Sequence, residues 1–335
     1  MSRRRSSQWH GLLLVDKRPG PTSHDIVDMA RRALGERRIG HTGTLDPMAE
    51  GLLMLCVGQA TRLQQFLVRW QKTYHGQIRL GHATTTYDRE GAPSDPRGAV
   101  PDLDLAALAR LETRFSGEIA QTPPPYSAKK IGGKRMYELA RSGQPAVAEP
   151  KTVTVHALSL ERLDVDLLGV TVTVSSGFYV RSLANDLGTE LECGGYLDRL
   201  QRVSIGPFST ESAISQSLLE SADDPLAVVG HPAWTPIDRV ALPFAELQLN
   251  RSATERFVHG QEVVVLRSGG GTLAVDSEVA LRSPDGRLLG VGLVQSVLAR
   301  GRTVGVRPAM VLQAGESLPT TVAENRPSVA SGETS

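Results

Sequence analysis

The chain has 335 residues, of which 40% are hydrophobic, enough for one large core or for a large domain followed by a small one. Its formal net charge is only +1, so charge alone does not indicate a nucleic-acid-binding protein. Residues 1–90 nevertheless hold 14 of the 37 Lys and Arg but only 8 of the 36 Asp and Glu. A phosphate-bearing partner would bind this basic quarter, although a solvated surface explains the imbalance equally well.

The two cysteines, Cys56 and Cys193, belong to no CxxC pair and no Cys/His cluster. The sequence therefore predicts neither a disulfide nor a metal site. The basic start, residues 1–10, is followed by an apolar run at 12–15 that is too short for a secretion signal or a membrane span. We expect a cytoplasmic protein with reduced thiols and no membrane association.

In chain order, short apolar runs at 11–15 and 52–57 predict two buried strands. Between them, an apolar face at helical spacing predicts a helix that Ser23 caps and Gly35 ends. A second helix follows Asp102, with one apolar stripe formed by Leu105, Leu108, Leu111 and Phe115.

Alternating residues at 153–155 and 170–174 predict strands with one buried face, and a third helix is expected from about 181 to 192. This mixture predicts an α+β domain with a central, mainly antiparallel sheet over residues 11–243. Short strand candidates at 262–266, 278–282, 288–294 and 303–306 predict a small β-rich domain over residues 247–313. The polar residues 314–335 are expected to be a disordered tail.

The most informative segment is a polar, glycine-rich loop, Gly40–Gly51, that leads directly into the apolar run at 52–57. It contains Asp46 followed by Pro47, and the proline fixes its own φ and restricts Asp46 toward extended geometry. Such a loop can hold one carboxylate at the edge of a core. Taken alone, an Asp-Pro pair is more often an ordinary turn.

The whole array of motifs resembles the TruB family of tRNA pseudouridine-55 synthases, over about residues 11–210. The family's G-H-x-G-T-L-D-P segment is present as residues 40–47, and the region after Leu247 looks more loosely like an RNA-binding PUA domain. The other matching blocks are Leu13-Val15-Asp16-Lys17-Pro19-Gly20, Thr22-Ser23, Gly58-Gln59-Ala60-Thr61-Arg62, Lys72-Thr73-Tyr74, Leu80-Gly81, Thr84-Thr86-Asp88-Gly91, Gln121–Lys129, Gly177–Arg181, Leu200-Gln201-Arg202 and Gly206-Pro207-Phe208.

The resemblance implies an enzyme that breaks the bond between uracil N1 and ribose C1′, turns the base and joins C5 to C1′. This reaction needs one ionised nucleophile in a pocket poor in water, a role that falls to Asp46, and it needs no cofactor. Arg181 would pair with Asp46 and keep it ionised. The sequence leaves open whether Asp46 attacks the sugar or the base.

Other roles implied by the resemblance concern the flipped nucleotide. Tyr74 would stack on the base as a third catalytic residue, and Tyr179, two before Arg181 on an extended segment, would line the pocket. Leu200 would form a pocket wall, and His41 would lie against the RNA. The alternatives are a core tyrosine for Tyr74 and a loop hydrogen bond for His41, and packing explains Tyr179 equally well. Leu200 is a core leucine in any structure, and only the family pattern makes it a pocket wall.

The expected partner is the T-arm stem-loop of tRNA, bound by a monomer through its shape and phosphates. Lys17 and Arg62 are expected substrate-binding residues, as are Lys129 and Lys130 in an RNA-clamping insertion at about 121–143. A solvated basic loop is the alternative for that insertion. The chain departs from the family at two places. Where many members have Lys-Gly-Thr-Tyr-Ile-Arg, this chain has Ser176–Arg181, which lacks a positive charge and a hydroxyl that could contact a phosphate. Arg62 replaces a commoner lysine.

Two other functions fit the same motifs. One is a tRNA-binding and folding protein whose catalysis is secondary or lost, which the intact Asp46, Tyr74 and Arg181 set disfavours. The other is the related guide-RNA-dependent catalytic subunit, which the long segment 91–143 with its basic residues disfavours.

Overall fold

The computed structural model describes residues 8–126, 130–131, 134–135, 149–267 and 272–312. The chain divides into two units, Met1–Val228 with Pro232–Trp234, and Val229–His231 with Thr235–Ser335. The predicted tail, 314–335, and most of the predicted insertion lie outside the described residues. No helix in the described ranges is long and apolar enough to cross a membrane.

The elements before residue 237 are named here in chain order. The strands are β1 (Gly11–Lys17), β2 (Ile39–His41), β3 (Glu50–Val57), β4 (Lys72–Leu80), β5 (His82–Thr84), β6 (Pro93–Arg97), β7 (Gly117–Gln121), β8 (Lys130–Ile131), β9 (Lys134–Arg135), β10 (Lys151–Asp164), β11 (Leu167–Val174), β12 (Gly195–Ile205), β13 (Phe208–Ser209), β14 (Ile214–Ser215) and β15 (Trp234–Pro236). The helices are α1 (Ser23–Leu34), α2 (Gln64–Leu67), α3 (Leu105–Arg114), α4 (Val180–Glu190), α5 (Gln216–Glu220) and α6 (Pro225–Val229), with 3-10 turns at Gly58–Arg62 and Thr210–Ser212.

The first unit is built on one large sheet whose main path is β14-β1-β3-β12-β4-β11-β10-β7. Strand β1 pairs in parallel with β14, and β3 with β12, while the other neighbours on this path are antiparallel. The predicted α+β fold with a mainly antiparallel sheet is therefore confirmed.

Strands β1 and β3 form the centre of the core, and the apolar runs that predicted them are buried on both faces. Their antiparallel register joins Gly11 to Val57 at one end and Lys17 to Gly51 at the other. The loop that precedes β3 therefore ends opposite Lys17. This register places the loop Gly40–Gly51 at the edge of the core.

Helix α1 has the expected buried face, including Ile26 and Ala30, and ends at Gly35, whose φ of 61° is left-handed. The prediction that Ser23 caps it is wrong. Thr22 is the N-cap, because its hydroxyl accepts from the Asp25 N–H while the Asp25 carboxylate accepts from Thr22. This capping box leaves the Ser23 hydroxyl available for another contact.

Helices α3 and α4 lie where they were predicted, but one residue expected to be buried in α3 is exposed. In α3 the apolar stripe is only partly right, because Leu108 and Leu111 are buried whereas Leu105, in the first turn, is 86% exposed. Helix α4 begins at Val180 and buries Leu183 as expected.

The second unit contains a five-stranded sheet in the order β16-β18-β19-β20-β17, formed by its described residues. Its strands enclose an apolar core that includes Phe257, Val279 and Val294. This is the predicted small β-rich domain of PUA-like type, with one helix and one strand that the sequence did not predict. The elements are β16 (Glu246–Gln248), α7 (Arg251–Val258), β17 (Val263–Leu266), β18 (Glu278–Arg282), β19 (Leu288–Leu298) and β20 (Thr303–Val311), with 3-10 turns at Ile237–Arg239 and Ala299–Gly301.

Candidate active site

The loop between β2 and β3 makes a tight turn at Asp46. The Ala49 N–H donates to the Asp46 carbonyl at 3.0 Å, which closes a four-residue turn with Pro47 at its second position. After the turn, Gly51 has a φ of 96°, and a Cβ there would lie 2.3 Å from the carbonyl oxygen of Arg202 on β12. Only glycine allows the chain to enter β3 so close to the neighbouring strand.

Lys17 supports this turn from inside the protein. Its side chain is fully buried, and its Nζ lies 2.6 Å from the carbonyl oxygen of Ala49, 3.2 Å from that of Pro47 and 3.3 Å from that of Asp46. The carbonyl of Arg18 is a fourth acceptor, at 3.1 Å. Lys17 therefore fixes the backbone on which the Asp46 side chain stands.

The residues before Asp46 are held from two further directions. The Ser23 hydroxyl accepts from the Leu45 N–H at 2.8 Å and donates to the Leu45 carbonyl at 3.0 Å. Arg202, also buried, donates to the carbonyls of Gly43 at 3.0 Å and Leu52 at 2.7 Å. The loop backbone is thus fixed on both sides of Asp46.

Arg181, in the first turn of α4, binds the Asp46 carboxylate with two nitrogens. Its Nε lies 2.9 Å from Oδ2 of Asp46, and its Nη2 lies 3.1 Å from Oδ1. The Arg181 side chain is 8% exposed, whereas the Asp46 side chain is 32% exposed. The carboxylate therefore faces the surface while its bidentate counter-ion lies buried behind it.

A second carboxylate contacts the same guanidinium. Asp88, which follows β5, is buried and its Oδ2 lies 3.3 Å from Arg181 Nη1, which also donates to the Thr86 carbonyl at 3.1 Å. Between them, Tyr87 has a φ of 63°, a left-handed backbone that is unfavourable for tyrosine. This conformation allows residues 86 and 88 to contact one nitrogen together.

Burial sets the protonation tendencies of the site. It raises the pKa of Asp46 above the usual aspartate range, and the Arg181 guanidinium opposes that rise. Burial also lowers the pKa of Lys17 to about 8 and lowers the pKa of His41 below its ordinary value. His41 Nδ1 accepts from the Gly43 N–H at 3.3 Å, so neutral His41 carries its proton on Nε2.

Residues 31–180 match the family model described as TruB family pseudouridylate synthase, N-terminal domain. A protein of Burkholderia lata named tRNA pseudouridine synthase B is 42% identical over 254 residues, which cover 76% of this chain and 77% of that protein. A protein of Cupriavidus metallidurans with the same name is 41% identical over 288 residues, covering 84% and 90%.

The chain belongs to the TruB family of pseudouridylate synthases. It is accordingly an isomerase, as the motifs implied. Two solved structures share the fold at 22% identity, each with a TM-score of 0.68. One is from a structure of an H/ACA RNP bound to a substrate RNA containing 2′-deoxyuridine, covering 90% of this chain and 84% of that chain. The other is from a Cbf5-Nop10-Gar1 complex, covering 92% and 91%.

Among the residues predicted to act in this TruB-family protein, Tyr74 and Leu200 lie on neighbouring strands. Tyr74 on β4 is opposite Arg202 on β12, and Leu200 is opposite Gly76, so both side chains share a face with the Arg202 side chain. Because Arg202 contacts the Gly43 carbonyl, this face adjoins the loop that carries Asp46. Both Tyr74 and Leu200 are buried.

Tyr179 lies close to Arg181, but for another reason than the one predicted. The argument from an extended segment is wrong, because α4 begins at Val180 and Tyr179 is its N-cap. Alternation along a strand therefore does not determine where the two side chains point. Tyr179 is half-buried.

Of the other predicted substrate-binding residues, His41 forms the end of β2, and its carbonyl accepts from the Gln64 side chain at 2.8 Å. Arg62, in the 3-10 turn Gly58–Arg62, is half-exposed. Lys17 has no exposed surface and acts on the loop backbone instead. Lys129 lies outside the described residues, and only the backbone of Lys130, in β8, is described.

Three further charged residues are buried at this site, and no individual role was predicted for them: Lys72, Asp88 and Arg202. A Cβ at Gly43 would lie 3.5 Å from both Arg202 Nη1 and Lys72 Cε, so these two cations lie beneath the loop. No pattern in the sequence singled out Lys72 or Arg202, because β4 and β12 carry several other polar and charged residues. Asp88 was equally inconspicuous because it lies in a polar loop.

Proposed function

We propose that this chain converts one uridine of tRNA to pseudouridine at position 55 of the T-loop, with Asp46 as the nucleophile. The observation that carries the proposal is the half-exposed Asp46 carboxylate held by the buried, bidentate Arg181. The names of the relatives at about 40% identity support tRNA as the substrate. A turn fixed by Lys17, Ser23 and Arg202 supports a role that needs one carboxylate in one orientation.

The reaction is an isomerisation in which the bond from C1′ to N1 is replaced by a bond from C1′ to C5. The hydrogen on C5 leaves as a proton, and N1 gains one, so substrate and product have the same atoms. Ionised Asp46 attacks either C1′ or the base and forms a covalent intermediate that the second bond formation releases. No cofactor is needed, because no electrons are exchanged with a second reactant.

The pair of Asp46 and Arg181 is suited to this step. Burial favours the neutral carboxyl group, which cannot attack, and the guanidinium opposes this by favouring the charged form. Two parallel hydrogen bonds also fix the plane of the carboxylate, so its free lone pairs point away from Arg181. We assign Tyr74 to stacking on the flipped uracil and Leu200 to the pocket wall, because their shared face adjoins the loop.

The target base must leave the T-loop stack to reach Asp46. Neutral His41, with its Nε2 proton, is a hydrogen-bond donor beside the loop and would contact the RNA near that nucleotide. Tyr179 and Arg62 are assigned to RNA contacts at the rim, and Lys129 and Lys130 to the clamp. Lys17 contributes through the loop backbone.

A tRNA-folding protein without catalysis is the less favoured function. Burial of the Arg181 guanidinium behind the Asp46 carboxylate requires desolvation of a cation, which a purely RNA-binding surface does not need. A guide-dependent subunit is also less favoured. The relatives at about 40% identity are named tRNA pseudouridine synthase B, whereas the H/ACA structures are 22% identical and support the fold alone.

The decisive test is Asp46→Asn, incubated with an unmodified tRNA transcript whose pseudouridines are then mapped. The variant should bind tRNA almost normally and form no more than a trace of pseudouridine, because the amide is similar in shape but is not a nucleophile. Asp166→Asn is the matched control: Asp166 also pairs with an arginine, Arg79 at 2.8 Å, in the same unit. Retained turnover in Asp46→Asn, or product at another tRNA position, would contradict the proposal.

A further inference from the structure

The segment Gln121–Tyr126, called the strap here, begins at the last residue of β7. Its first residue forms a two-point contact with the chain just before α4. Gln121 Oε1 accepts from the Tyr179 N–H at 2.8 Å, and Gln121 Nε2 donates to the Tyr179 carbonyl at 3.0 Å. Gln121 is 2% exposed, so water does not readily substitute for either bond.

The strap contacts α4 at two further points. The Ser182 hydroxyl donates to the Thr122 carbonyl at 2.7 Å, and Arg181 Nη2 donates to the Tyr126 carbonyl at 3.0 Å. Between these points lie three consecutive prolines, whose fixed φ angles restrict the strap. The strap thus contacts Arg181 itself, the residue after it and the helix cap before it.

The contact seen at Gln121 needs a group that donates and accepts at once, as the primary amide of glutamine does. Its end carries an acceptor and two donors, whereas an ionised carboxylate only accepts and an ammonium only donates. The N-cap Tyr179 has no side-chain capping bond, and its backbone is extended, with φ −118° and ψ 112°. The Gln121 amide therefore holds the point at which the chain turns into α4.

We propose that Gln121 is a positioning residue for the isomerisation: through the Tyr179 backbone it fixes the start of α4 and so keeps the Arg181 guanidinium bidentate on Asp46. This role rests on the proposed function of Asp46. The Gln121 side chain bonds to the Tyr179 backbone. It is not hydrogen-bonded to the Asp46 carboxylate. Its effect on Asp46 therefore passes through the start of α4 and the Arg181 side chain.

The expected consequence of losing this contact follows from the charges around Asp46. These are Arg181 on α4, Asp88 after β5 and Lys17 on β1. Of these three residues, only Arg181 lies on the helix whose start the Gln121 amide fixes. The ionised form of Asp46 then becomes less favourable, its pKa rises, and the acidic limb of the rate profile moves to higher pH.

The test uses the full chain and an unmodified T-arm stem-loop transcript under single-turnover conditions. Gln121→Met keeps the side-chain length but removes both hydrogen bonds, so the single-turnover rate at saturating RNA should fall by about tenfold. The acidic limb should move to higher pH. Gln216→Met is the matched control: Gln216 is also buried and accepts from a backbone N–H, that of Arg18, but does not contact α4.

A double-mutant cycle with Arg181→Lys separates positioning from general destabilisation. If Gln121 acts through Arg181, Gln121→Met should add little to the loss already caused by Arg181→Lys. Fully additive losses with an unmoved acidic limb would overturn the proposal, as would an unchanged rate in Gln121→Met. An unchanged rate in Arg181→Lys would overturn it too.

Two further results complete the test. If Gln121→Met does not fold, Ser182→Ala, which removes the contact with Thr122, decides in its place by the same shift of the acidic limb. Failure of the proposed function is distinct: Asp46→Asn would then retain turnover. If Asp46→Asn is inactive and the strap variants behave like the parent, the positioning role alone is wrong.

Discussion

Replacing Lys17 by methionine tests how the loop that carries Asp46 is held. Methionine has a similar length and fills the space, but it donates no hydrogen bond. The Lys17 ammonium has three hydrogens for four carbonyl acceptors. The carbonyls of Asp46 and Pro47 also accept backbone N–H groups. The loss therefore falls mainly on the carbonyls of Arg18 and Ala49.

Two opposing contributions set the effect on stability. Leaving the buried Ala49 carbonyl without a donor costs about 1–3 kcal/mol, and the part-buried carbonyl of the exposed Arg18 adds less because water can reach it. Against this, burial lowers the pKa of Lys17 from 10.5 to about 8. A fall of about 2.5 in pKa, at about 1.4 kcal/mol for each, means that the buried ammonium costs roughly 3 kcal/mol at pH 7. The two contributions largely offset, so Lys17→Met should fold at neutral pH.

The pH dependence distinguishes the parent from the variant. Between pH 8 and 10.5, unfolded Lys17 keeps a proton that folded Lys17 has released, so this group makes the folded parent more stable as pH rises. The methionine variant has no such group. From pH 7 to above pH 10 the parent should therefore gain up to roughly 3 kcal/mol relative to Lys17→Met.

The assay is urea unfolding between pH 7 and 10, followed by tryptophan fluorescence. The chain's three tryptophans, Trp9, Trp70 and Trp234, all lie in the first unit, so the signal reports on the unit that contains Lys17. Parallel stability curves for parent and Lys17→Met would refute the reasoning. Lys151→Met, at an exposed lysine of the same unit, is the control.

Three further predictions concern the charges and the backbone at Arg181. Arg181→Lys keeps a charge but loses the bidentate contact with Asp46, so the single-turnover rate should fall on the order of 100-fold, and the acidic limb should move to higher pH. Asp88→Asn should also slow turnover, but the acidic limb should move to lower pH, because the Asp88 charge raises the pKa of Asp46; a shift upward would contradict this. The backbone of Tyr87 is left-handed, which glycine adopts easily and a β-branched residue does not. Tyr87→Val should therefore lower the melting temperature and the rate more than Tyr87→Gly does. The reverse order would show that the Tyr87 side chain matters more than its backbone.

The sequence predicted the central strands because their signal is local. The runs that became β1 and β3 are apolar on both faces, and a strand buried on both faces needs no partner to be recognised. Helix α1 was equally local, apart from its first turn. There Thr22 and Ser23 are both good capping residues, and only the tertiary contact between Ser23 and Leu45 determines which one caps.

At the site, the motif identified Asp46 and Arg181, but their supports could not be read from the sequence. Lys17 ends an apolar strand next to Asp16, where a lysine ordinarily points into solvent. Its burial depends on carbonyls 29 to 32 residues further along the chain. The left-handed backbone of Tyr87 likewise has no local signal, because tyrosine is not a residue that favours it.

The second carboxylate on Arg181 has a consequence for the reaction itself. If Asp46 forms the covalent intermediate, it becomes an ester or a similar neutral group and no longer balances the guanidinium. A buried cation left without a counter-ion is strongly unfavourable, by several kcal/mol. Asp88 remains 3.3 Å from Arg181 Nη1, and its other oxygen is fixed by the Thr86 hydroxyl and the Glu90 N–H. Arg181 therefore stays paired and in place while Asp46 is neutral, ready to accept the carboxylate again when the bond to C5 forms.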